Sequence, residues 1–345
     1  MTELQHRARR TLHAAVTEYI ATGEPVGSRK LSRRYGLEVS AATIRNELAD
    51  LEEAGFLAQP HTSSGRVPTD RGFRAFVDAL GRVRDVQPED RSALASHLGG
   101  LRPGFDDLPR AAARVISSLT GNAAVIRKPG TSAQHVSQLR WLRLRPGQLL
   151  AVIVTRTGSV ENRVLSVERE PDSAELERLH NYLEHLLGER TLGELRDAVA
   201  RAASQERSEL GERARLIMEA TVEARADTES VHIEGQNRLL EQPEFTDVHR
   251  VRSLLGLLDD REQLLELLER TLAARGVQVL IGTETQLEES SGLSLISAAY
   301  GPAQGERGTL SVLSPTRVDY QKVVPLVGFA ARLLTEILEE QKLPA

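Results

Sequence analysis

Arg45 and Asn46 stand side by side in the run Ala41-Ala42-Thr43-Ile44-Arg45-Asn46. Their side chains supply what base edges in a DNA major groove require. An arginine can donate two hydrogen bonds to guanine, an asparagine can pair with adenine, and the methyls of Thr43 and Ala42 can meet thymine methyls. Ser28, Arg29, Ser40, His61 and Arg66 are donors suited to phosphate or minor-groove contact. On an isolated helix such residues more often just solvate a surface, because short patterns recur by chance. The surrounding elements therefore decide between recognition and solvation.

Leu4, Ala8, Leu12, Val16, Tyr19 and Ile20 recur at helical spacing and predict a first amphipathic helix, stopped by Gly23-Glu24-Pro25. Ser28 is the expected N-cap of a short second helix running through Tyr35, with Gly36 just past its end. After a turn at 37–39, Ser40 is expected to cap a third helix, Ala41 to Ala54, stopped by Gly55. That helix would be about 20 Å long, enough to lie in a major groove. Ile44, Leu48 and Leu51 form its apolar stripe and leave Thr43, Arg45, Asn46 and Ala49 on other sides. Phe56-Leu57 reads as a short strand, 60–66 as a loop, and Val67-Pro68 as its return. Thr69 is expected to cap a further helix from Asp70 to about Val83, with Phe73, Phe76, Val77 and Leu80 inward. Three helices, a hairpin and a helix is the winged helix-turn-helix order.

Residues 84–109, rich in charge, Gly and Pro, read as a linker with a short helix. From Leu139 the period switches to two, with strands at Leu149–Val154 and Val160–Val167 around a Gly-containing turn. Residues 172–228 are helical in pattern and heavily charged. Strand signals return at Val277–Ile281, Leu293–Ala299 and Thr309–Leu313. A final amphipathic helix carries Val323 through Leu338, with Pro325 expected in its first turn. Strands flanking a helical block suggest an α+β domain with a helical module inserted.

The chain has 345 residues, which predicts two or three domains. No cysteine is present, which removes disulfides, thiolate metal sites and cysteine nucleophiles. The start shows no apolar h-region and no stretch is long enough to span a bilayer, so a cytoplasmic protein without membrane contact is expected. Net charge is −5, so any basic footprint has to be local. The first 34 residues provide one in Arg7, Arg9, Arg10, Arg29, Lys30, Arg33 and Arg34. No G-x-S-x-G, P-loop or H-E-x-x-H motif occurs, and no enzyme is expected. His180, Glu184 and His185 could share a helix turn around a metal, but a solvated face is the stronger reading, so neither metal nor cofactor is expected.

Several longer runs resemble the HrcA family of heat-inducible transcription repressors. They are 18–28 (Glu18-Tyr19-Ile20-Ala21-Thr22-Gly23-Glu24-Pro25-Val26-Gly27-Ser28), Ala42-Thr43-Ile44-Arg45-Asn46-Glu47 and Pro60-His61-Thr62-Ser63-Ser64-Gly65-Arg66-Val67-Pro68-Thr69. Downstream follow Ser117-Ser118-Leu119-Thr120, Glu234-Gly235, Pro243-Glu244-Phe245 and 314–320 (Ser314-Pro315-Thr316-Arg317-Val318-Asp319-Tyr320). Ala41 stands where the family often has proline, and Leu313-Ser314 where it has Ile-Gly. The resemblance implies a multidomain α+β chain: a winged helix-turn-helix at 1–83, a linker at 84–109, a GAF-like α/β domain at 110–171 and 229–345, and a helical dimerising module inserted at 172–228. It further implies a dimer that represses chaperone operons from an inverted-repeat operator in double-stranded DNA, is maintained by the chaperonin and is lost on heat stress.

One winged helix reads only a few base pairs, which by itself calls for two copies on a palindrome. Leu176, Leu179, Leu183, Leu186, Leu187, Leu216, Ile217 and Met218 are the candidate dimer surface, unless they pack within their own domain. The alternative function is a regulator that senses a small molecule through the GAF-like domain, though the strands offer few convergent polar groups for a pocket.

Overall fold

The computed structural model describes residues 6–37, 39–61, 64–80, 85–99, 108–129, 135–156, 160–224, 231–272, 276–286, 292–301 and 307–340. Thr62 and Ser63 of the hairpin loop, Glu38, residues 157–159 of the expected strand turn, 225–228 of the expected helical block, and 84 and 100–107 of the expected linker lie outside these. The architecture is mixed α+β.

The N-terminal unit comprises α1 (His6–Thr22), α2 (Ser28–Arg34), α3 (Ala41–Glu53), a two-stranded antiparallel pair of β1 (Leu57–Ala58) and β2 (Val67–Pro68), and α4 (Asp70–Ala79). Local signals account for its boundaries. Ser40 Oγ accepts from Thr43 N at 3.1 Å, and Thr69 Oγ1 accepts from Gly72 N at 3.1 Å, each satisfying an amide of a helical first turn. Gly55 ends α3 at φ +76, a backbone angle that side-chain-bearing residues seldom adopt. At α2 the expectation is corrected. Gly27 occupies the cap position and Ser28 is the first helical residue, so no side chain caps this helix.

The second unit is a five-stranded antiparallel sheet in the order β7-β3-β10-β9-β8, built from β3 (Ala123–Arg127), β7 (Val231–Glu234), β8 (Val277–Ile281), β9 (Leu293–Tyr300) and β10 (Gly308–Pro315). On one face, Ile126, Ile296, Ala298 and Leu310 pack against α5 (Pro88–Gly99), α6 (Leu108–Thr120) and α13 (Tyr320–Glu340). The same continuous core takes in Leu12, Val16, Ile44, Phe73 and Phe76, which seats the N-terminal unit on this face. On the other face, Leu293, Leu295 and Leu313 meet α10 (Gln236–Leu240), α11 (Val248–Asp259) and α12 (Arg261–Leu272). Pro325 falls in the second turn of α13, because the helix starts at Tyr320 behind Asp319, whose carboxylate accepts from Lys322 N at 3.2 Å.

Residues singled out far apart in the sequence meet here. Gly235 (φ +78) lies so close to Ser117 that a Cβ would sit 1.7 Å from its hydroxyl. Arg317 forms an ion pair with Glu244 and donates to Ile20 O at 2.9 Å.

The third unit carries the largest difference from expectation. Strands β4 (Val136–Arg145), β5 (Gln148–Thr155) and β6 (Val160–Ser166) form their own antiparallel sheet and do not join the five-stranded one. Their inner face, with Trp141, Ile153 and Leu165, shares a core with α7 (Ser173–Leu187), α8 (Leu192–Glu206) and α9 (Glu209–Glu223). The amphipathic face of these helices has its complement in the strands directly before it, so strands and helices fold as one module. The helix residues expected at a dimer surface are consequently interior. Leu179 and Met218 are fully buried, Leu176, Leu183 and Ile217 are nearly so, Leu186 and Leu187 pack on this core, and Leu216 alone of the set is well exposed.

Candidate nucleic-acid interface

Helix α3 separates its residues by face. Ile44, Leu48 and Leu51 are buried. Ala42, Arg45, Asn46 and Ala49, three or four residues apart along the other side, are exposed, and Thr43 is half-buried. Among the described residues, no hydrogen bond or ion pair engages the guanidinium of Arg45 or the carboxamide of Asn46. Ser40 lies at the same end of the helix, exposed, its hydroxyl 2.9 Å from that of Thr43. Arg29 and His61 are also exposed and Ser28 is half-buried.

Arg66 is placed differently. Its Nε donates to Glu52 Oε2 at 2.8 Å, and its backbone exchanges hydrogen bonds with Val26 (2.8 and 3.0 Å). It ties the hairpin to the C-terminal half of α3 and to the residues before α2. Gly65 permits that approach, since a Cβ there would lie 2.6 Å from Val26 O. As the molecule stands, Arg66 fixes the position of the hairpin, and its Nε is not a free donor.

Two functional supports were missed in the sequence. Glu18 is buried on α1, where its carboxylate accepts from Tyr35 Oη at 2.8 Å and from Arg34 at 3.0 and 3.1 Å, and pairs with Lys30 at 3.0 Å. Burial pushes this carboxyl up, but the donors from Tyr35 and Lys30 and the nearby Arg34 charge outweigh it and hold it below its usual range. Burial and the same carboxylate push the Tyr35 phenol up to about 12. Glu47 is the second support. It is buried on α3, pairs with Arg7 and accepts from Thr11 Oγ1 at 2.5 Å, fastening α3 to α1. The local signal was only a glutamate on the apolar side of each helix. These contacts thin the expected basic footprint: Arg7, Lys30 and Arg34 are held by carboxylates of their own unit, while Arg10, Arg29 and Arg33 are exposed.

The possible metal trio is occupied internally. His180 Nε2 accepts from Trp141 N at 2.9 Å, Glu184 pairs with Arg140 at 2.6 Å, and His185 Nδ1 lies 2.6 Å from Asn181 O.

Fold and site together define a class, a mixed α+β protein of several units that presents a bared helix face. The comparisons give the family. A family model described as the HrcA protein C-terminal domain matches residues 106–324. The heat-inducible transcription repressor HrcA of Sorangium cellulosum is 47% identical over 342 residues, covering 98% of this chain and 99% of its own. Those of Syntrophobacter fumaroxidans and Geobacter sulfurreducens are 38% and 37% identical, with at least 98% of each chain covered. The chain belongs to the HrcA family of heat-inducible transcription repressors. A crystal structure of a hypothetical protein shares the fold (TM-score 0.64, 23% identity, 99% of this chain and 100% of that one). The relatives named for HrcA are transcription repressors, which does not favour the small-molecule alternative.

Proposed function

We propose that this chain is a homodimeric, cytoplasmic repressor that binds an inverted-repeat operator of chaperone genes, with α3 in the major groove. The observation that carries the reading is the division of α3, with Arg45, Asn46, Ala42 and Ala49 bared together over a buried Ile44–Leu48–Leu51 stripe. In this reading residues 6–79 are a winged helix-turn-helix. Ser28, Arg29, Ser40 and His61 serve the backbone, Thr43 and Ala42 touch base methyls, and Arg66 sets the wing. The five-stranded unit is the GAF-like domain. The shared core of 136–166 with α7–α9 supports an inserted module that begins near 135, earlier than the sequence suggested.

A second copy is the occupant we assign to the outer face of the β4–β6 sheet. Leu142, Leu150 and Val164 lie in register across its three strands, with Leu144, Val152, Val154 and Val160 around them and Arg140 and Asn162 flanking Val152. Leu142 and Val160 are close to half exposed. A reader of palindromes needs a two-fold partner, and a largely aliphatic sheet face open to solvent is a surface on which two copies could meet. Release on heating and maintenance by chaperonin come to this chain through its family.

The test is binding of the purified protein to an inverted repeat from a chaperone promoter and to scrambled DNA, at two salt concentrations. Strong preference for the repeat with a steep salt slope is expected. Equal retention of both duplexes refutes the reading. Warming should abolish binding while the duplex stays paired, and chaperonin should help its recovery.

A further inference from the structure

We infer that the short turn Gly282–Thr285 is the joint through which the sheet unit sets the angle of α3, with Arg74 and Glu284 as its positioning residues. The inference rests on the reading of α3 as an operator-binding helix.

The turn follows edge strand β8 and is gripped from two sides. From α12, Arg270 donates to Thr285 O at 2.7 Å and to Glu284 O at 3.0 Å. From α4, Arg74 Nε donates to Glu284 Oε1 at 2.8 Å, and its Nη2 reaches both Glu284 Oε2 and Val279 O. Asp70 Oδ2 accepts from Thr283 N at 3.0 Å. Glu284 Oε2 also accepts from Ile281 N at 3.0 Å, which anchors the carboxylate within the turn. Gly282, at φ +50, makes this seam possible, because a Cβ there would lie 2.0 Å from Asp70 Oδ2. A bidentate arginine–carboxylate pair constrains orientation as well as distance, so the seam fixes how α4 sits on the sheet.

Helix α4 is in turn bolted to the C-terminal end of α3. Thr69 Oγ1 donates to Gly55 O at 2.7 Å and Arg71 Nη1 to Ala54 O at 2.9 Å. Gly72 rides so close to Phe56 that a Cβ would meet its carbonyl oxygen at 2.1 Å. The two helices therefore move together. A shift of α12 or of the turn reaches α3 through contacts that have no slack, and a packed seam of this kind changes between discrete arrangements rather than by continuous flexing. In a dimer, the tilt of α3 decides whether two half-sites one helical turn apart are met at once.

The experiment uses full-length wild type, Arg74→Gln, Glu284→Gln and Gly282→Ala. Each is measured on the natural repeat, on the repeat with about 5 base pairs (half a turn) inserted, and on a single half-site. The wild type should favour natural spacing. Arg74→Gln, Glu284→Gln and Gly282→Ala should keep single half-site binding and lose about tenfold in spacing preference. Unchanged spacing preference in all three single variants overturns the inference, as does a uniform loss that extends to the half-site. A wild type indifferent between repeat and scrambled duplex overturns the operator reading itself.

Discussion

On α3, Ile44, Leu48 and Leu51 go inward while Arg45 and Asn46 stay outside; on the β4–β6 sheet, Trp141, Ile153 and Leu165 go inward while Leu142, Leu150 and Val164 stay outside. Each face is backed by an aliphatic core, and the two differ in what they leave in water. The helix leaves hydrogen-bonding groups that cost nothing when unpaired in solvent and gain when a groove supplies partners. The sheet leaves aliphatic area, which water disfavours and a matching surface removes. The helix face is suited to a charged, patterned partner and the sheet face to a copy of itself. Their support differs less. Buried carboxylates fasten the helical unit (Glu18 to α2, Glu47 to α1), and the sheet module adds shielded pairs of its own, Arg213 with Glu175 and Arg163 with Glu161, to its apolar core.

The comparison breaks most visibly if the sheet face is made polar. In the proposed dimer, Leu142→Arg would remove an aliphatic contact from an isologous interface, where each substitution counts twice, and should weaken association by about 3–6 kcal/mol. Sedimentation should show monomers with unchanged helical content, and a persisting dimer would move the interface elsewhere. On the other face, Arg45→Ala should cost about 1–3 kcal/mol of operator binding and relax preference at one base position. Competition against a library of half-site variants checks this, and an equal loss on every sequence would recast Arg45 as a phosphate contact.

Glu18→Gln tests the fastening. It keeps the shape but loses the charge held between Lys30, Arg34 and Tyr35, and should cost about 1–2 kcal/mol in denaturant melts, since the cations it leaves are partly solvated. Because the folded carboxyl is held below its usual range, its contribution is present above that range and lost as pH falls through the lowered value. The wild type should therefore lose its advantage over Glu18→Gln on acidification. The smallest effect belongs to Ser314, buried in β10 with no partner for its hydroxyl among the described residues. Ser314→Ala should stabilise by about 1 kcal/mol, read as a raised melting midpoint with unaltered DNA binding.

Much of the candidate interface was legible because its signals are local. Ser40 and Thr69 cap helices that begin one residue later, the strand expected at 56–57 pairs one residue further on (57–58) with 67–68, and the polar side of α3 follows from a period of 3.6. Strands β3 and β7 were not legible, since runs of five and four residues carry little periodicity. Strand β3 finds its partners only far along the chain, in β7 beyond β4–β6 and α7–α9, and in β10. Helices α10 to α12 were missed as well, and the strands of 136–166 were grouped with the wrong sheet.

The sequence by itself determined the capped helices, the hairpin, the family and the bared Arg45–Asn46 pair, because hydrogen bonds within a few residues and the pitch of a helix decide these. Tertiary structure alone decided that Glu18 and Glu47 are interior fasteners, that Arg66 is held by Glu52, and that the strands of 136–166 turn one apolar side onto α7–α9 and the other to solvent. An alternating strand exposes its pattern to any reader of the chain. Which of its two faces meets a core is settled only when the surface that covers it has folded into place.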